Sequence, residues 1–214
     1  MGMDTLSLLS TRPAAAAPLD IAAVIGPAAW QRLPPAVRRR FACGHAAASY
    51  EGALDLHCSR LGRCFALFSH VLGGPLTTLR RAALPATVNV RDDGRGGVVW
   101  ERCLHVAGAA HSRVVRSTKL PGPAGTVIER TDGGLAMELD VFEERGALVF
   151  RSRRYFLALG AWRLPIPLAL TPGTCRVEHR DEGGGRFRFT LAMEHPWWGR
   201  TFHQTGLFAD PQED

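Results

Sequence analysis

The stretch TCRVEHRDEGGGRFRFTLAM, residues 174–193, consists of two alternating segments on either side of a glycine-rich turn. In residues 186–193 every second side chain is apolar, and in residues 174–180 Cys175 and Val177 alternate with polar or charged residues. A period of two is typical of a β-strand that buries one face, and the intervening Asp-Glu-Gly-Gly-Gly is typical of a turn. The stretch therefore predicts an antiparallel hairpin with one apolar face.

Segments of the same kind follow one another along the chain after Pro85. Short strands at regular spacing are typical of an antiparallel meander, and a sheet this long curls or closes because open edges invite aggregation. We predict an α+β fold that is predominantly antiparallel β, a curved meander forming a calycin-like barrel or half-barrel. The predicted strands are residues 87–92, 98–106, 112–120, 126–131, 135–143, 147–159, 162–170, 174–180, 186–193 and 200–208.

The residues before these strands are mixed in character. Residues 1–18 end in an Ala/Pro tract without an apolar period, which predicts a flexible leader. Asp20 is a helix cap, and Pro34-Pro35 sets up another short helix over residues 36–42. Residues 47–58 alternate like a strand.

A further helix begins after Ser59 and is predicted to bury an apolar stripe of Leu61, Phe65, Phe68 and Leu72 before Gly73-Gly74-Pro75 stops it. We predict one domain over residues 19–214, with the helices packed on one end or face of the sheet. The helix-grip fold ranks second, because no helical period follows residue 193.

Composition excludes several classes of protein. The chain has 214 residues, of which 46% are hydrophobic and 21% charged, so it can bury a sizeable core and is not disordered. No apolar run approaches the length of a membrane span. The net charge of +6 is carried by dispersed arginines, with Lys119 the one lysine, a composition typical of a GC-rich bacterial genome. No nucleic-acid motif accompanies them, so we expect no nucleic-acid partner, although the positive field favours anionic small ligands.

The cysteines and glycines do not indicate a metal or cofactor. Five cysteines form no disulfide framework, and the spacing of Cys58 and Cys64 does not suit zinc. The chain starts without a signal-peptide pattern, so we expect reduced thiols and a cytoplasmic protein. The glycine clusters fit turns rather than phosphate loops. We therefore expect neither a bound metal nor a cofactor.

Polar residues on apolar strand faces are the candidate site residues, because alternate residues of a small barrel face its lumen. Arg102 shares a face with Trp100, and His179 is in line with Cys175 and Val177. A buried arginine needs a carboxylate partner. For Arg102 the partner is Glu129, Glu138 or the carboxylate of a ligand, and the alternative is that Arg102 lies on a solvent-exposed face.

The segment 194–206 is the most aromatic part of the chain. Trp197 and Trp198 either wall a pocket mouth, with His203 and Gln204 as hydrogen-bonding groups, or plug the barrel end. The chain has no nucleophile elbow and no cysteine-protease signature, so the pattern does not establish catalysis.

Several short motifs in a fixed order resemble a known bacterial family. These are LPPAVRR at 33–39, YEG at 50–52, the helix ending in Gly-Gly-Pro75, Trp100-x-Arg102, LPIP at 164–167, GRFRFT at 185–190 and Pro196-x-x-Gly199. Over roughly residues 30–208 the chain resembles the Domain of Unknown Function 4166 family. The resemblance implies an accessory β domain that often stands at the C-terminus of saccharopine-dehydrogenase-like proteins, behind a nucleotide-binding domain. That domain is absent from this sequence, so we expect no nicotinamide cofactor, and the family transfers no catalytic residues.

Three functions follow as hypotheses. The first is a binding domain that holds a small, largely apolar or amphipathic molecule, with a carboxylate paired to Arg102 if the molecule carries one. The second is an isomerase or cyclase in which His179 or His203 is the general base and Arg102 an electrostatic stabiliser. The third is a structural or protein-interaction domain with a filled lumen. The candidate ligand-binding residues are Arg102, Trp100, Tyr155, Phe189, His179, His203 and Gln204.

Overall fold

The computed structural model describes residues 17–44, 47–70, 76–109, 112–160 and 162–211. The predicted leader, residues 1–18, lies almost entirely outside them. The helices in the described part are α1 (Ile21–Ile25), α2 (Pro27–Arg32), α3 (Pro35–Phe41) and α4 (Arg60–His70). The strands are β1 (Ala48–Cys58), β2 (Arg81–Asp92), β3 (Val98–Leu104), β4 (Arg113–Pro121), β5 (Val127–Arg130), β6 (Leu135–Glu144), β7 (Ala147–Leu159), β8 (Trp162–Ile166), β9 (Thr174–Gly183), β10 (Arg186–His195) and β11 (Gly199–Ala209).

The strands form a closed antiparallel barrel. Consecutive strands β1 to β7 pair in order, β7 pairs with β9, and β9, β10 and β11 lead back to β1, so that ten strands close the ring. The prediction of a predominantly antiparallel barrel is confirmed. The helix-grip alternative is wrong, because the place of its C-terminal helix is taken by β11. No helix in the described ranges has the length and apolar character needed to span a membrane.

The strand β8 contains Pro165 and lies at the edge of the sheet. It pairs only with the second half of β7, from Tyr155 to Leu159, and lies outside the ring. It ends at Ile166 rather than at residue 170, because Pro167 precedes a short 3-10 helix at Leu168–Leu170. Proline has no N–H to donate, so an edge position is the one that tolerates it.

A β-bulge in β7 moves Tyr155 into the barrel. Glu138 pairs with Arg154 while the next residue, Leu139, pairs with Ser152, so β7 has one extra residue there. The alternation therefore changes phase, since a bulge leaves one residue unpaired and turns the strand. Ser152 and Tyr155 both point inward and are buried, whereas the sequence pattern put them on opposite faces.

Helices α1 to α3 cover one end of the barrel and share its core. Leu33, Val37 and Phe41 belong to the same buried cluster as Phe150 in β7. Arg40 fastens α3 to the barrel, because its guanidinium pairs with Asp210 at 2.5 Å and with Asp181 at 3.1 Å. It also lies over the ring of Phe187, 4.3 Å from the centroid.

Helix α4 covers the other end with its small residues. Gly62, Ala66 and Ser69 are its buried positions, because a Cβ on Gly62 would stand only 2.4 Å from the carbonyl oxygen of Thr201. The predicted apolar stripe of this helix is therefore wrong as a buried face. Leu61 and Phe68 are exposed and Phe65 is half-buried, and Leu72 lies outside the described residues.

Candidate ligand site in the barrel interior

A small cavity of about 40 Å³, lined by both polar and apolar side chains, lies inside the barrel, with enough space for a few water-sized atoms. We call it the central cavity. Its polar lining residues come from β3, β4, β5 and β9, which place alternate side chains inward. They are Arg102, Ser117, Lys119, Glu129 and His179.

Glu129 is the one acidic residue among these five polar lining residues, which we call the polar cluster. The Ser117 hydroxyl donates to its Oε1 at 2.6 Å, and the Lys119 Nζ lies 3.3 Å from its Oε2. Burial opposes ionisation, but Lys119, Ser117 and Arg102 outweigh it and hold the pKa of Glu129 below its usual value. Glu129 is therefore a carboxylate at neutral pH.

Arg102 has a neutral partner. Its Nη1 donates to the Gln204 Oε1 at 3.2 Å, and its guanidinium carbon lies 5.6 Å from the ring centroid of Phe189. Burial lowers the pKa of Arg102, and the field of Glu129 offsets part of that effect. In the described part of the chain no carboxylate lies within ion-pair distance of Arg102. The other predicted partner, Glu138, pairs with Arg154 at 2.5 Å.

The cluster therefore has an excess positive charge. Two cations, Arg102 and Lys119, share the central cavity with one carboxylate, Glu129. Lys119 is paired with that carboxylate and also lies 5.1 Å from the ring centroid of Trp100. Arg102 is half-buried and only partly compensated by Glu129, and an incompletely paired cation in a protein interior is costly, so the cavity favours one additional anion.

His179 is a neutral imidazole among aromatic rings. Its centroid lies 4.9 Å from that of Phe41 and 5.4 Å from those of Trp100 and Phe189. Its Nδ1 has no hydrogen-bond partner among the described residues. Burial, followed by the charges of Lys119 and Arg40, lowers the pKa of His179 well below 6.5.

This low pKa predicts a loss of stability in mild acid. Below pH 6.5 His179 binds a proton in the unfolded chain but stays neutral in the folded protein. The free energy of unfolding should therefore fall as the pH drops from 7 to 5. The slope from this group approaches at most about 1.4 kcal/mol per pH unit. Urea unfolding across that range should show a shallower slope for His179→Phe, which keeps an aromatic ring and removes the proton-binding atom. An unchanged slope would contradict the assignment.

A second, apolar cavity of about 200 Å³ lies between the polar cluster and helix α4. We call it the apolar cavity. Glu129 lines both cavities and is thus at their boundary. The other lining residues are Phe65, Phe68, Ser69, Leu76, Thr131, Leu135, Met137, Tyr155, Ile166, Leu170, Thr171, Pro172 and Met193.

Tyr155 and Cys175 supply no nucleophile to the interior. The Tyr155 hydroxyl donates to the carbonyl of Gly173 at 2.8 Å, and burial raises the pKa of Tyr155 well above 10. Burial and the nearby Glu129 raise the pKa of Cys175 to about 12. Both groups are protonated at neutral pH, and neither is a nucleophile in that state.

The structure brings most of the predicted site residues together. Trp100, Arg102, His179 and Phe189 line the central cavity, and Gln204 orients Arg102. Tyr155 lines the adjoining apolar cavity.

His203 lies elsewhere. It faces away from the lumen on β11, opposite His57 of β1, because Phe202 and Gln204 on either side of it point inward. Burial and the charge of Arg200 lower the pKa of His203. We do not include it in the site.

Two lining residues, Ser117 and Lys119, were not predicted from the sequence, and Glu129 was considered only as a partner of Arg102. A signal was present, because Val115, Ser117 and Lys119 share one face of β4 and are all buried. Lys119 is the one lysine of the chain, and the alternation along β4 places it on the same inward face as Val115.

The tryptophans of the β10–β11 turn do not plug the barrel. The exposed fraction is 70% for Trp197 and 43% for Trp198, and Trp198 stacks on His195 with centroids 3.9 Å apart. A tight turn between the paired strands keeps both rings outside the lumen. Across the described residues, no group of three or more His, Cys, Asp and Glu side chains is arranged to hold a metal.

The comparisons with known proteins agree with the resemblance seen in the sequence. The family described as "Domain of unknown function (DUF4166)" matches residues 33–208, a range that includes α3, α4 and the strands up to Phe208. A search of the curated proteins finds no match.

Proposed function

We propose that this chain, which belongs to the DUF4166 family, is a binding domain that holds a small, largely apolar carboxylic acid inside its barrel. The observation that carries it is Arg102, a cation inside the barrel with a neutral hydrogen-bond partner and an apolar cavity nearby.

The charge of the cluster favours a carboxylate as the polar group of the ligand. A carboxylate that accepts hydrogen bonds from Arg102 gains charge-assisted bonds and neutralises the excess charge. Glu129 does not do this alone, because its oxygens are already engaged by Ser117 and Lys119.

The apolar cavity fits the remainder of such a ligand. Its volume of about 200 Å³ exceeds the roughly 150 Å³ that holds benzene in an engineered cavity. By that ratio the cavity accommodates about eight non-hydrogen atoms, close to the alkyl chain of a medium-chain fatty acid. Apolar walls with a few convergent polar groups are typical of small-molecule sites.

Calorimetric titration with decanoic acid and with 1-decanol tests the proposal. Both have the same alkyl chain, and only the acid is an anion at pH 7.5. We expect the acid to bind one per chain, at least tenfold more tightly than the alcohol. Equal affinity of the two would show that the polar cluster takes no part, and absence of binding by both would overturn the proposal.

The alternative functions gain less support from the geometry. His179, the general base of the enzyme hypothesis, is enclosed by aromatic rings and has a depressed pKa, which makes it a weak base. A completely filled lumen does not fit the two cavities. We therefore retain the binding function.

A further inference from the structure

Large apolar side chains surround the opening of the apolar cavity. Phe68 and Leu170 line the cavity and are nevertheless 75% and 69% exposed. Leu67, Leu168, Trp197 and Trp198 are exposed as well. A contiguous exposed apolar patch marks an interaction site.

These side chains come from three segments that meet at one place. Phe65 of α4 contacts Trp198 of the β10–β11 turn, with ring centroids 5.7 Å apart. Gly173, which follows the Leu168–Leu170 turn, lies against the backbone of Glu194. We call the three segments, residues 60–70, 162–170 and 195–200, the mouth surface.

The mouth surface is basic. Its segments contain Arg60, Arg63, Arg163 and Arg200 and no aspartate or glutamate. Arg200 is 3.4 Å from Glu194, whereas Arg60, Arg63 and Arg163 are exposed.

Carboxylates are more frequent at the opposite end of the barrel. There the strand turns carry Asp92, Asp93, Glu144 and Glu182. Asp132, in the β5–β6 turn at the mouth end, lies 3.8 Å from Arg116. The barrel therefore has a basic apolar end and an opposite end at which acidic side chains are mixed with arginines such as Arg95 and Arg145.

We propose that the mouth surface docks onto the headgroup region of an anionic lipid bilayer. Tryptophan is favoured at membrane interfaces, and exposed leucine and phenylalanine gain burial among the acyl chains. Arginines at such a surface are attracted by anionic lipids, and the three segments of the mouth surface carry no carboxylate side chain to oppose that attraction. The docking rests on this surface alone. A docked mouth surface would also let the apolar cavity take its ligand from the bilayer. This second step rests on the proposed function as well as on the docking.

Co-sedimentation of the full chain with vesicles tests the docking. Vesicles of phosphatidylcholine with 30% phosphatidylglycerol are compared with phosphatidylcholine alone. We expect binding to the anionic vesicles, weakened about tenfold or more in Arg60→Gln/Arg63→Gln because each arginine contributes roughly fivefold. The matched control, Arg39→Gln/Arg95→Gln, removes the same charge from exposed positions at the opposite end and should stay within twofold of the unmodified chain.

A second variant tests the apolar part. Leu67→Ser/Trp197→Ser changes exposed side chains that do not line the cavity, so it should fold, bind decanoic acid as before and lose vesicle binding at least tenfold. Absence of vesicle binding by the unmodified chain, equal losses in both arginine variants, or self-association through the mouth surface would overturn the docking. Retained decanoic acid binding in those cases would leave the proposed function standing.

Discussion

Glu129→Gln should lower the free energy of unfolding by about 3–5 kcal/mol, the usual cost of removing one partner of a buried ion pair. Glutamine keeps an oxygen that accepts from the Ser117 hydroxyl, so the change removes charge more than shape. Lys119 then loses its partner at 3.3 Å, and the interior holds two cations without an anion. Urea unfolding at pH 7.5 measures the effect.

Two controls separate charge from packing in this experiment. Adding Lys119→Met to Glu129→Gln should recover at least about 1 kcal/mol, because it removes the unpaired ammonium. Glu101→Gln breaks a pair on the outer face, where Glu101 lies 2.6 Å from a half-exposed Arg116, and should cost at most about 1 kcal/mol. A similar cost for the inner and outer pairs would show that the interior is more solvated than we infer.

Arg102→Met should reduce the affinity for decanoic acid by roughly 10- to 100-fold, the range expected for hydrogen bonds to a charged group. The affinity for 1-decanol should stay within about threefold, because the apolar cavity is unchanged. The free energy of unfolding of the variant should stay within about 1 kcal/mol of the parent value, because removal of the incompletely paired cation offsets the loss of the donor to the Gln204 Oε1.

An arginine on the outer wall provides the matched control for this prediction. Arg91→Met removes an exposed charge from β2 and should leave both affinities unchanged. Equal losses for the acid and the alcohol in Arg102→Met would indicate a collapsed cavity. An unchanged acid affinity would place the carboxylate elsewhere.

The strands were predictable because each has one buried and one exposed face. Residues 147–159 form β7 with the predicted bounds, and most other strands differ at their ends by one to three residues. The closure of the ring was not decided by the pattern. It depends on the pairing of β7 with β9 and of β11 with β1, which join strands that do not follow one another in the chain, and local alternation does not encode such pairings.

Positions where backbone and packing depart from a regular period were not predictable. The extra residue in β7 reverses the facing of Tyr155, and the close approach of Gly62 to Thr201 turns α4 away from its apolar stripe. Arg40 is part of a basic run in the sequence, and its pairing with Asp181 and Asp210 joins residues far apart in the chain.

The candidate site was predictable as a set of inward positions and not as a set of contacts. Arg102 shares an apolar face with Trp100, and the structure places both at the central cavity. Its partner Gln204 comes from β11 across the interior, so no local pattern links the two. The partner of Glu129 is Lys119, directly opposite it on β4, a pairing that needs the strand register.

A crystal structure of the protein with decanoic acid tests the central claim most directly. We expect the carboxylate within about 3 Å of the Arg102 guanidinium, with the alkyl chain in the apolar cavity and its end toward Phe68. A carboxylate at the opening, beside Arg63 or in solvent, with the alkyl end pointing at Arg102 would contradict it.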